Sequence, residues 1–181
     1  MNRQPSFNPQ SSDEVYRARC LKTLKDWGAP LTGWYCTYLI DVAENSDNTA
    51  TCELCGCTKV RFIHLMNHKD YPRTFEVGCI CAGLMEDDIL AAKDRERLAR
   101  NRHRRRTTFC NKGMQPTRTG NFKITHRAHT VFINHARTPG TWYVNMAGTR
   151  IFSWHGKPIR DLRTAQYAAF DLIDPKPDPA R

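Results

Sequence analysis

The chain has no long apolar run. Its hydrophobic stretches are as short as Val131-Phe-Ile133, so nothing in it spans a bilayer. The amino terminus, Met1-Asn-Arg-Gln-Pro-Ser6, lacks the apolar core of a secretory leader. Together these predict a cytoplasmic protein. Acidic residues are in deficit: 18 Asp and Glu face 28 Lys and Arg, for a net charge of +10. A small chain this basic meets a polyanion, and nucleic acid is the first candidate. An anionic membrane surface fits less well, because the basic segment has no Trp/Phe/Leu face for the interface. There is no P-loop, no Gly-x-Gly-x-x-Gly fingerprint and no internal repeat.

Cysteine, by contrast, is plentiful and clustered. Five of the eight lie between Cys52 and Cys81. In a reducing compartment such clustering favours metal over disulfides. Cys52-x-x-Cys55 aims two thiolates at one point through a tight turn, and Gly56 supplies the backbone freedom that the turn requires. Val60 to Asn67 alternates with a strand period. Tyr71-Pro72 is expected to break it, and Phe75–Val77 to return antiparallel before Gly78-Cys79-Ile-Cys81. A knuckle, a hairpin and cysteines at a helix start form the layout of a treble-clef zinc finger. The first ligand set is Cys52, Cys55, Cys79 and Cys81, a closed structural zinc site. The second keeps Cys52, Cys55 and Cys81 and takes His64 or His68, which share a strand face. Both histidines also suit an ordinary strand. Cys57 reads as a bystander and Cys36 as a buried core thiol.

Cys52-x-x-Cys55-Gly56, the hairpin and Val77-Gly78-Cys79-x-Cys81-Ala82 resemble small treble-clef proteins of phage, plasmid and bacterial genomes. Many of those carry Val-Gly-Ser-x-Cys or Val-Gly-Cys-x-Cys after the hairpin. The resemblance covers about a third of the chain. It implies zinc, a treble-clef fold, an origin in a mobile element and an association with nucleic acid. Relatives with Ser at the position of Cys79 weaken that residue's place as a ligand.

The expected fold class is α+β. Residues 1–12, with Pro5 and Pro9, read as a disordered tail. Residues 13–106 hold a helix capped at Ser12-Asp13-Glu14 and running to about Trp27, a strand over Trp34–Val42, and the zinc domain with its basic helix. Met85-Glu-Asp-Asp88 suits the acidic first turn of that helix. Residues 107–121, with Gly113, Pro116 and Gly120, read as a linker. Residues 122–174 form short strands at Phe122–Thr125, Thr130–Asn134, Thr141–Met146 and Arg150–Trp154, then a helix capped by Thr164. This part loosely resembles the three-strand-plus-helix DNA-binding module of plant ethylene-response factors. Trp142, Tyr143, Phe152 and Trp154 there suit either base stacking or a core. Residues 175–181 are a tail.

Lys93, Arg97, Arg100 and Arg104 recur at helical spacings and put four cations on one face over roughly 16 Å of axis. Arg102, Arg105 and Arg106 surround them, and the whole set is the candidate phosphate-binding surface. The expected function is that of a non-catalytic zinc protein that binds nucleic acid, DNA ahead of RNA. One alternative is a ββα-metal (His-Me finger) nuclease. It would use His64 or His68 with Asn101 or His103, but some twenty helical residues, roughly 30 Å, would separate the two groups. Another is an adaptor whose basic surface meets an acidic protein.

Overall fold

The computed structural model describes residues 9–176. The chain divides into two compact units, one reaching to Ala99 and the other starting at Arg100. The division therefore falls inside a helix and not in residues 107–121. Among the described residues, four helices and three antiparallel sheets make a mixed α+β protein. None of those helices is long and apolar enough to cross a membrane.

The first unit opens with α1, Pro9–Asp26. Residues 9–12, expected in the tail, are its first turn, where the missing N–H of a proline costs nothing. The tail readings of residues 1–8 and 177–181 lie outside the described residues. Cys20 and Leu24 are almost fully buried, and Tyr16 packs beside them. These i, i+4, i+8 positions are one stripe of the helix. The sheet has the order β1-β2-β3, with β1 at Tyr35–Asp41, β2 at Phe62–His68 and β3 at Tyr71–Val77. Tyr71-Pro72 does not break the hairpin; the turn is at Lys69-Asp70, and both residues belong to β3. β3 is an edge strand, which tolerates a residue without a backbone donor. Trp34, Tyr71 and Phe75 pack ring against ring at 5.2–5.7 Å.

Two helices follow β3 in place of one. α2 spans Cys79–Met85 and α3 spans Ile89–Asn111. Glu86-Asp87-Asp88 is the break between them, not a first turn. Asp87 sits at φ 57°, and the Asp88 carboxylate accepts the Ala91 N–H at 2.8 Å, capping α3. The corner is tight: a Cβ on Gly83 would lie 2.6 Å from the Ile89 Cα, so a side chain there would push the two helices apart.

The second unit carries a five-stranded sheet in sequence order. It consists of β4 (Gln115–Pro116), β5 (Phe122–His126), β6 (His129–His135), β7 (Trp142–Met146) and β8 (Thr149–Ile151). A small pair follows, β9 (Ser153–Trp154) and β10 (Lys157–Pro158), and then α4 (Leu162–Ile173). Ile124, Val131, Ile133 and Val144 from the sheet are buried with Ala165, Ala168, Ala169 and Phe170 of α4. The expected linker is largely structured. Phe109 and Cys110, on the last turns of α3, enter this core, and Gln115–Pro116 pairs with β5. The cap of α4 is Asp161, not Thr164: its carboxylate accepts the Thr164 N–H at 2.8 Å and hydroxyl at 2.7 Å.

Candidate metal centre and the basic helix

The knuckle closes as its spacing predicts. The Gly56 N–H donates to the Cys52 carbonyl and the Cys52 N–H to the Cys57 carbonyl, with Gly56 at φ 74°. This turn brings the sulfurs of Cys52 and Cys55 together, and α2 adds Cys81. The three Sγ atoms lie within 4.8 Å of one another. Tetrahedral thiolate zinc, with Zn–S near 2.3 Å, places its sulfurs about 3.8 Å apart, so small adjustments would suffice. Cys52 and Cys81 are each 1% exposed, which shields the group from water.

The Cys52 thiol is lowered, chiefly by the hydrogen bond from Cys81 and against the cost of burial. The backbone amides of Gly78 and Cys55 reinforce it. Cys81 is pushed up by the same contact with Cys52 and by desolvation. The Tyr16 hydroxyl lies 2.9 Å from Cys81 Sγ. Cys20, one turn further along α1, interacts with both Tyr16 and Cys81. Burial raises its thiol. The sequence reading missed Cys20. No signal in its spacing pointed to it, because packing between distant elements sets its contacts.

The four-cysteine set is not assembled. Cys79 stands apart from the three thiols, grouped with His64 and Glu96. His64 is 0% exposed, and burial drives its imidazole down to about 4. His64 is therefore beside Cys79 rather than completing the Cys52-Cys55-Cys81 group. His68 is not there either: β2 shifts register between Met66 and His68, and the ring lies 5.3 Å from that of Trp34. Cys57 is exposed. Cys36 is not a fully buried core thiol; it is half-buried, 3.8 Å from His64 Nδ1.

The seven cations of the basic helix separate into two sets. Arg102 donates to the Asp171 carboxylate and the Asp174 carbonyl, and its guanidinium lies over the Phe170 ring. Arg105 forms a fork onto the Asp174 carboxylate, and Arg106, 3% exposed, covers the Tyr167 ring. These three tie α3 to α4, and Arg102 and Arg106 are buried there. Lys93, Arg97, Arg100 and Arg104 are all exposed. Arg97 meets Asp94 at 3.2 Å, and Arg104 reaches Asn101 at 3.4 Å. The expected helix is interrupted at residues 86–88, so Asn101 and His103 are not on one continuous helix from Cys81. They belong to the second unit, and His64 to the first.

Of the aromatic residues considered for stacking, Trp154 donates Nε1–H to Asp171 at 2.7 Å, and Trp142 packs on the core. Tyr143 and Phe152 stack on one another at 5.1 Å, with Phe152 54% exposed.

No family model, no curated protein and no solved structure matches this chain.

Proposed function

We propose that the chain is a zinc-stabilised, non-catalytic protein of treble-clef type that binds nucleic acid, DNA ahead of RNA. Zinc would be held by Cys52, Cys55 and Cys81; Cys20 of α1 lies outside the 4.8 Å group but neighbours Cys81, and is the candidate for the fourth position. The observation that carries the metal is the convergence of three thiols from two separate elements. A buried thiol cluster in a reducing cytoplasm has no disulfide to form and is suited to a soft cation. The Tyr16 hydroxyl, 2.9 Å from the Cys81 sulfur, would donate to a thiolate there from outside the ligand set and moderate its charge. The metal would then add a tie from α1 to the knuckle and to α2 beyond their shared core.

For the partner, the support is the sorting of cations along α3. Arg102, Arg105 and Arg106 reach the aspartates and rings of α4, while Lys93, Arg97, Arg100 and Arg104 are exposed, Arg97 beside Asp94, in a chain of net charge +10. Exposed cations at this spacing track a phosphate backbone without reading bases. The test is the variant Arg97→Gln, Arg100→Gln, Arg104→Gln, which keeps helix propensity and removes three charges. On duplex DNA the log–log salt slope should fall by about two to three. Affinity should fall alike on all sequences, with metal content unchanged. A folded variant that binds DNA and RNA as well as the parent would leave an acidic protein as the better partner.

A further inference from the structure

The first unit holds a second group of ligand-type side chains, away from the three thiols. His64 of β2, Cys79 at the start of α2 and Glu96 of α3 bring a ring nitrogen, a sulfur and a carboxylate oxygen within 4.8 Å of one another. They are far apart in sequence, so the fold assembles them. A second observation points to a missing ligand. His64 is 0% exposed, and its Nε2 is buried without a hydrogen-bond partner. Native cores rarely leave such an atom unpaired. Its other nitrogen, Nδ1, faces the Cys36 sulfur at 3.8 Å. An imidazole whose second nitrogen is held by a neighbour is how a metal-bound histidine is oriented.

We propose that His64, Cys79 and Glu96 form a second metal site for a borderline cation of the zinc class. The ligands are His64 Nε2, Cys79 Sγ and a Glu96 carboxylate oxygen. A mixed nitrogen, sulfur and oxygen set suits zinc and its neighbours, whereas magnesium and calcium take oxygen alone. The charges balance: Cys79 releases its thiol proton to solvent, and the thiolate and carboxylate offset a dication beside a neutral imidazole. The nearby Arg95 cation is itself compensated by its ion pair with Glu86. Cys79 and Glu96 are half-buried, which gives the cation a way in. Three protein ligands leave a fourth position for water. The site uses its own residues and stands whether or not the three-thiol centre is filled.

Equilibrium dialysis of the full chain against buffered zinc tests this, with circular dichroism as the folding control. Parent protein is expected to bind two zinc ions. Cys79→Ser and Glu96→Gln should each weaken one of them by about tenfold or more and leave the other intact. Cobalt(II) gives an independent reading: Cys79→Ser should lose only part of the thiolate-to-cobalt charge-transfer band, and Glu96→Gln little of it. His64→Ala removes a fully buried ring, so the proposal does not depend on that variant folding. A parent that binds no zinc, or parent-like affinity in both variants whatever the parent's count, would overturn the site. So would loss of both ions in Cys79→Ser, which would place Cys79 in the other centre.

Discussion

Tyr16 and Cys20 are one helical turn apart, and both reach Cys81 from α1. If Cys20 is a ligand, Cys20→Ser should weaken zinc at the three-thiol centre by well over about tenfold. Tyr16→Phe keeps every ligand but removes the hydroxyl beside Cys81, and about a tenfold loss is expected. Competition with a chromophoric chelator measures both, and parent-like affinity in the pair would detach α1 from the metal. The local part of this centre was legible in the sequence, because Cys52-x-x-Cys55-Gly56 fixes its own turn. The choice between Cys79 and Cys81 depended on helix phase. α2 begins at Cys79, and residues two apart on a helix point about 200° apart, so these two cannot face one centre. Cys20 and Glu96 were invisible because their contacts are set by packing between distant elements, which spacing does not encode.

α3 was legible as a helix and as a basic one, but not as two sets of cations. Nothing in Arg100 to Arg106 shows which side meets Asp171 and Asp174 until α4 is in place. Arg102→Ala leaves Asp171 without its buried partner and should cost about 3 kcal/mol. Chemical denaturation measures this, and a cost near zero would show the pair to be incidental. The start of α4 offers a pH test. The Thr164 amide and hydroxyl hold Asp161 below its ordinary 3.8. A carboxylate lowered on folding contributes fully above its unfolded value and loses that contribution as pH falls through the folded one. Asp161→Ala should therefore cost about 1 kcal/mol near neutrality, with the gap to the parent closing below about pH 4. A gap that is constant down to pH 2 would rule out the charged cap. Sequence placed the strands of this unit closely, because turn residues such as Pro139-Gly140 and Ala147-Gly148 mark their ends. It missed the role of Phe109 and Cys110, since an apolar pair after nine basic or polar residues reads as the end of a helix.

At the scale of the whole chain, 40% hydrophobic residues are spread over two cores. The division within α3 was not legible, because a helix shared by two cores has no break in its own pattern. In the first unit the thiols sit among the core residues rather than at the surface, so the binding energy of a metal there would be folding energy. The most direct test is zinc analysis of freshly purified Cys79→Ser protein, which retains Cys20, Cys52, Cys55 and Cys81 and lacks the second site's sulfur. It should hold one zinc per chain and fold like the parent. Less than about a tenth of an equivalent in both the variant and the parent would contradict the three-thiol centre, whereas loss in the variant alone would place Cys79 among that centre's ligands.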